Sequence, residues 1–448
     1  MPPPVRIIDT IYANVPATAA PPRDPIKLTA MEALWLLFPV LQHVLLFEGA
    51  DLPTFDAIVQ SLRSSLATTL ASFVPLAGRL VHLKDTADVA ISCSTSDRVK
   101  LVVAESDADI GHLAGDEEHD LRLLELLVPE VDMSVLPTAV LAVQATRFQG
   151  GVAVGLTVHH GVADGRSLWT FVEAWATACR GETPAVALTF DRSLINLPGV
   201  DVRSVLRKLV PNLPVTTPPS SIMEDRTRFT RRTFTLDARD IQRLKQRIVR
   251  LGEAHGAPLS RPPSTFVALV ALAWTCFVRC KRLALDEEVF LFFFADVRDR
   301  LSPPVEAGYI GACLTGRARA AFRGVGRPGR ALQDEGRPCR RVEFYDAGNH
   351  FDQTAPSDER VRLSELQGLR HCRLWMGKAE QDGAHPDEPR WPGGADGRQG
   401  WPWRAVVAGG WPWVPRAARG RVTRVSPQRE GHSLGLMVAM HAGCRLLE

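Results

Sequence analysis

The 448-residue chain lacks an apolar run long enough to cross a membrane. Its most apolar stretch, residues 33–47, is interrupted by Pro39, Gln42 and His43. A span needs ~20 apolar residues, so this stretch predicts buried core and no membrane partner. The opening MPPPVRIIDTIYANVPATAAPP holds no basic segment followed by an apolar run and a small-residue cleavage site, and no secretory leader is expected. Cysteines are few, eight in all, and none forms a CxxC pair. Cys276 and Cys280 stand four apart in an apolar helical stretch, which reads as buried thiols and no metal site. Reduced thiols and a cytoplasmic location follow as expectations. There is no GxxxxGKS phosphate loop and no internal repeat, which argues against P-loop nucleotide chemistry and a solenoid.

Isoleucine is also absent from residues 314–448. That segment holds 21 Arg, 1 Lys and 15 acidic residues, a net charge of +7, with 19 of the 34 Gly and 6 of the 10 Trp. Residues 1–313 then carry −4, with 31 basic against 35 acidic residues. The overall +3 is an average over two unlike parts. A basic, Trp-bearing tail raises the question of a single-stranded nucleic acid. Here the acidic residues are interspersed and Pro and Gly flank the Trp, so no nucleic-acid partner is expected.

With 45% hydrophobic and 23% charged residues, the chain has globular composition and length for two or three domains. A helix is expected over Thr29–Leu37, stopped by Pro39, and a strand over Val40–Phe47. Phe55, Ile58, Val59, Leu62, Leu66 and Leu70 recur at helical spacing over 54–72. Short strands are expected at Val89–Cys93 and Val99–Ala104. Ala139–Phe148 and Val152–Val158 flank Gln149-Gly150-Gly151 and read as a hairpin. Arg166–Arg180 is an amphipathic helix. Residues 181–227 are Pro-rich with little periodicity and read as a crossover. A strand at Phe229–Leu236 and a helix capped by Asp237, with Ile241, Leu244 and Ile248 inward, come next. Phe266–Cys280 is apolar nearly all round, as in a core helix, and Val289–Ala295 as in a strand buried on both faces. The mixture is α/β or α+β.

The sharpest feature is Val158-His159-His160-Gly161-Val162-Ala163-Asp164-Gly165. Val152, Val154, Leu156 and Val158 share a strand face, His160 continues it, and His159 points the other way. His160 thus arrives at a strand end beside a Gly turn. An imidazole titrating near neutrality can take a proton from a hydroxyl or amine. Asp164 either holds the turn or orients the imidazole. The plainer alternative is a hydrogen-bonded histidine at a strand end. Adjacent histidines on opposite faces cannot easily share one ion, so no metal is expected.

HHGVADG resembles the HHxxxDG element of the plant BAHD acyl-CoA-dependent acyltransferases. Other segments agree in order. Leu28–Trp35 (LTAMEALW) is similar to the opening LTxxD…W stretch, with Glu32 in place of Asp. Val74–Leu80 is similar to PLAGRL, and Val143–Phe148 to QVTRF. Ser264-Thr265-Phe266 is similar to the start of the CoA-facing helix. Asp296-Val297-Arg298-Asp299-Arg300-Leu301 with Pro303-Pro304 is similar to DxRxRL…PP. Gly308–Cys313 (GYIGAC) is similar to the YFGNC element of the anthocyanin and flavonoid-glucoside acylating clade. The resemblance covers roughly residues 1–316.

It implies an α/β, two-domain fold like chloramphenicol acetyltransferase, with acyl-CoA and acceptor entering a channel from opposite faces. Residues 1–195 would form the first domain, 196–227 the crossover and 228–313 the start of the second. It also implies transfer of a malonyl- or hydroxycinnamoyl-type acyl group from CoA to a hydroxyl of a flavonoid or anthocyanin glucoside. His160 would be the general base. Asp164 would be structural, bridged to an arginine; Arg298 or Arg300 matches that position, and Arg298 is the expected partner, with Gly165 shaping the turn. Ser264 and Thr265 would contact the phosphopantetheine arm. Acyl-CoA would be a co-substrate, with no permanently bound cofactor, and the enzyme a monomer. HHxxxDG occurs too in peptide-condensing domains, but no carrier-like segment stands here. The family's second signature, DFGWG, is missing. Its loss leaves a non-catalytic descendant that at most binds acyl-CoA as the alternative, and predicts a second domain that is incomplete. Gly-, Arg-, Trp- and Pro-rich sequence without Ile is what a GC-rich coding region yields out of frame. Residues 314–448 are therefore expected to be frameshifted or disordered.

Overall fold

The computed structural model describes residues 4–320, apart from 50–51, 116–117, 184–186, 196, 217–230, 233–235, 237 and 282–289. The calls on Asp237 as a cap and on the tail beyond Ala320 lie outside these residues, as does most of the expected 229–236 strand, of which only Arg231–Arg232 is seen paired. The principal elements are β1 (Arg6–Asn14), α1 (Ala30–Ala33), β2 (Leu41–Glu48), α2 (Phe55–Leu70), β3 (Arg98–Glu105), β4 (Leu141–Phe148) and β5 (Gly151–Val158). They are followed by α3 (Gly165–Cys179), α4 (Val202–Leu209), α5 (Ala238–Ala254), α6 (Thr265–Lys281), β6 (Phe290–Asp296) and β7 (Leu314–Ala320).

The central sheet runs β1-β3-β4-β5-β2. Only β3 and β4 pair in parallel; the other neighbours are antiparallel. β4 and β5 form the expected hairpin, with Gly150 at φ +79° supplying the left-handed turn residue. β5 is central and buried along its whole length. Val152, Val154, Leu156 and Val158 face the larger core, whereas Ala153 joins a smaller cluster on the other side. The period-two reading of this strand therefore holds.

α2 and α3 pack together against the larger core. Ile58, Val59, Leu62, Leu66 and Leu70 are buried at the spacing read from the sequence. Each fully buried large side chain contributes ~1.5–3 kcal/mol. Ser65 satisfies the polar atoms of this contact: its Oγ accepts from Trp175 Nε1 at 2.9 Å and meets Cys179 Sγ at 3.0 Å.

Several local expectations are corrected. The Thr29–Leu37 helix is one α-helical turn, α1, followed by a 3-10 turn over Leu34–Leu37. β1 has no clear alternation of its own and lies between Pro-rich flanks; it pairs with β3 along its length. α4 lies inside the expected crossover. Asp201 caps it and Leu206 is buried, so a short amphipathic helix escaped a reading based on long windows. α6 is not buried all round. Ala268, Leu269 and Trp274 are buried against a neighbourhood that includes α5, but Val267 is 47% exposed and Cys276 is exposed. Phe294 on β6 is 38% exposed. Uniform apolarity shows that a segment can be buried but not how many neighbours reach it. Secondary structure does not end at the compositional break at 313/314: β7 begins at Leu314 and pairs with β6.

Candidate active site

β5 ends at Val158 and delivers His159 and His160 into a tight turn. His159 N–H donates to the Val140 carbonyl at 2.8 Å, which fixes where the turn leaves the sheet. Gly161 N–H donates to His159 Nδ1 at 3.1 Å. Nδ1 is then an acceptor, so the neutral His159 ring carries its proton on Nε2. Burial, reinforced by the neighbouring His160, lowers the His159 pKa to about 3.

His160 is 4% exposed, and its ring stacks on Trp35 with centroids 3.8 Å apart and planes 17° from parallel. Trp35 also meets Phe38 and Phe294, at 5.0 and 4.8 Å between centroids. This apolar wall desolvates the imidazole. Its pKa falls to about 4, chiefly through burial, which the nearby backbone and the Asp164 charge only partly offset. His160 is thus neutral at physiological pH and able to accept a proton.

Asp164 is fully buried and caps α3, accepting from Ser167 N–H at 2.9 Å. Arg298 Nη1 donates to Asp164 Oδ2 at 2.7 Å, Arg298 Nη2 to Oδ1 at 3.0 Å, and Cys313 N–H to Oδ2 at 3.0 Å. Burial alone would raise this carboxyl's pKa. The Arg298 charge and these hydrogen bonds overturn that, and the net shift is downward. With both oxygens so occupied, Asp164 holds the turn and makes no hydrogen bond to His160. Gly165 is the first residue of α3, half-buried beside it.

Arg298 is also fully buried. Its Nη2 also donates to Ser167 Oγ at 3.0 Å and to the Gly311 carbonyl at 2.8 Å, and Nη1 lies 3.1 Å from Asp296 Oδ1. Arg300, the other arginine of that stretch, is exposed. His160, Asp164, Gly165 and Arg298 are thus brought together. Ser264 and Thr265 form a separate feature at the start of α6: Ser264 is exposed, and its Oγ accepts from Val267 N–H at 3.2 Å.

Ser167, Arg166 and Arg192 carry no mark in the sequence reading, and Glu32 stands there only as a replacement for Asp. Ser167 Oγ donates to the Gly311 carbonyl at 2.9 Å and accepts from Gly311 N–H at 3.1 Å. Arg166 pairs with Asp296 at 3.1 Å. Glu32 is fully buried and pairs with Arg192 at 2.9 Å. The Thr29-x-x-Glu32 capping box was a legible signal for Glu32, but nothing local marks Arg192, 160 residues away.

Comparison with known proteins gives a consistent picture. The model of the Transferase family matches residues 10–320. Malonyl-CoA:anthocyanidin 5-O-glucoside-6''-O-malonyltransferase of Arabidopsis thaliana is 32% identical over 325 residues, covering 70% of this chain and 70% of the relative. Phenolic glucoside malonyltransferase 2 of the same organism is 32% identical over 305 residues, covering 64% of this chain and 66% of the relative. The crystal structure of vinorine synthase aligns over 71% of both chains with a TM-score of 0.53 and 22% identity, a likeness of fold.

Proposed function

The chain belongs to the Transferase family of BAHD acyltransferases, and from that premise we propose that it moves an acyl group from coenzyme A to a hydroxyl of a flavonoid- or phenolic-glucoside acceptor. The malonyltransferase names of its relatives favour a malonyl donor over a hydroxycinnamoyl one. One observation carries the chemistry: a buried, neutral His160 at the end of β5, on a turn pinned by the Asp164–Arg298 pair. In this reading His160 takes the proton of the acceptor hydroxyl as its oxygen attacks the thioester carbonyl. The carbon–sulfur bond breaks, and the thiolate takes the proton back from His160, so that CoA leaves as the thiol and the base is neutral again. The thioester is already activated, so no acyl-enzyme is needed and alignment of the two substrates does most of the work. Asp164, Gly165 and Arg298 act structurally, and Ser264 and Thr265 at the open end of α6 meet the CoA arm. We further propose a monomeric enzyme of the cytoplasm, where thiols such as Cys179 and Cys313 stay reduced.

The test is a panel of acyl-CoA donors and glucoside acceptors on the full chain. Transfer is expected, with kcat/KM falling ~10²–10⁴-fold in His160→Ala. Transfer undiminished in that variant would refute the base assignment. The missing DFGWG string favours a second reading, a non-catalytic acyl-CoA binder. Saturable CoA binding by the wild-type chain with no turnover across the panel would select it.

A further inference from the structure

Around the His160 turn the molecule has a second buried ion pair besides Asp164–Arg298. Arg192 Nη2 lies 2.9 Å from Glu32 Oε1, and Arg192 Nε donates to Glu32 Oε2 at 3.2 Å. Glu32 is fully buried and the Arg192 side chain is 8% exposed. Two buried charges cost several kcal/mol each to desolvate, so such a pair needs further hydrogen bonds to be tolerated.

Those bonds join three segments. Glu32 accepts from Thr29 N–H at 2.9 Å and from Thr29 Oγ1 at 3.1 Å, closing the capping box of α1. It accepts from Ala312 N–H at 3.3 Å. Arg192 Nη1 donates to the Ile310 carbonyl at 2.5 Å and to the Phe190 carbonyl at 3.2 Å. Tyr309 packs beneath both arginines, its ring centroid 5.3 Å from the Arg192 guanidinium and 5.8 Å from that of Arg298.

The segments joined are the ones that surround His160. α1 leads directly into the 3-10 turn bearing Trp35, whose ring stacks on His160. Residues 310–313 carry the Gly311 carbonyl and the Cys313 N–H, which hold Arg298 and Asp164. A Cβ at Gly311 would lie 2.5 Å from Tyr309 Cε1 and 2.7 Å from Glu32 Oε1, so the segment passes between the two ion pairs with no room to shift. We propose that Glu32 and Arg192 are positioning residues for His160: they lock the Trp35 turn to the 310–313 segment and so fix the stacked, dry face of the imidazole.

Four charged groups bear on this cluster. Arg192 faces Glu32; Arg298, Asp164 and Asp296 lie on the opposite side of the 310–313 segment. The proposal rests on the reading of His160 as base, but it is tested without turnover. The His160 imidazole is titrated by NMR on histidine-labelled full chain, with His160→Gln identifying its resonance. Wild type is expected to titrate well below the ordinary histidine range. Glu32→Gln and Arg192→Met are expected to raise the midpoint by a unit or more, because a loosened Trp35 admits water. Glu32→Asp, which keeps the charge, should restore part of the shift. In active protein the same variants lower kcat with KM within about threefold, and move the acid limb of the kcat/KM profile upward. An unchanged His160 midpoint in a folded Glu32→Gln or Arg192→Met variant overturns the proposal. If the wild-type chain proves inactive while the midpoint shifts, the positioning stands and the functional reading falls.

Discussion

The Asp164–Arg298 pair lies fully buried beside the His160 turn, and its energy can be measured. Replacing Arg298 with Met keeps the length and apolar stem of the side chain but removes every charged donor. Asp164 then keeps only the N–H groups of Ser167 and Cys313, inside a fully buried site. Breaking a buried pair by removing one partner costs ~3–5 kcal/mol, because an uncompensated charge stays behind. Asp164→Asn should cost less, about 2–3 kcal/mol. Arg298 retains Asp296 at 3.1 Å, Ser167 Oγ and the Gly311 carbonyl, and the carboxamide oxygen can still accept from one of the two N–H groups. The double variant leaves no unpaired carboxylate. Its cost should fall short of the sum of the single costs by ~0.5–3 kcal/mol, the range for residues in contact. Urea unfolding followed by tryptophan fluorescence reads this cycle directly, since Trp35 and Trp175 are both fully buried. The total is a large share of a domain's ~5–15 kcal/mol, so the midpoint shifts will be plain. A loss below ~1 kcal/mol in Arg298→Met, or additivity within ~0.5 kcal/mol, would refute the reasoning.

The two histidines predict a pH dependence of stability. Their folded pKa values lie near 3 and 4, below the ordinary 6.5, so the unfolded chain binds more protons between these limits. Stability is fully present above pH ~6.5 and falls by ~1.4 kcal/mol per pH unit per histidine as pH drops toward 4. His160→Gln should remove about half that slope; an unchanged slope in urea titrations from pH 7 to 5 would contradict the burial argument. Gly311→Ala forces a methyl against Tyr309 and Glu32 and should cost ~1–3 kcal/mol by overpacking; an unshifted thermal midpoint would show that the segment can move. Sequencing the transcript across codons 313–345 tests the origin of the tail. A changed frame is expected, and an uninterrupted matching frame would discard that idea.

Local pattern alone identified the β4–β5 hairpin, helices α2 and α3, and the placing of His160 at a strand end. Each of these is set by the alternation or 3.6-residue recurrence of apolar residues in a short window, and burial rewards that recurrence wherever it occurs. α6 and β6 show the limit of such patterns. Their apolarity is uniform, so it carries no direction, and Val267 and Phe294 stand exposed. The HHxxxDG string left two roles open for Asp164. The tertiary structure places both carboxylate oxygens on Arg298, 134 residues away, and on Cys313, 149 residues away, which supports the turn-holding role. The same holds for Glu32. Its capping box is written in four consecutive residues, but its burial against Arg192 and Ala312, the latter 280 residues distant, is not. Sequence by itself determined which residues could do proton chemistry and on which element each would sit, because those are local properties. Which of them are charged, dry and mutually fixed was decided by folding, since desolvation and charge pairing depend on neighbours that only the packed chain brings together.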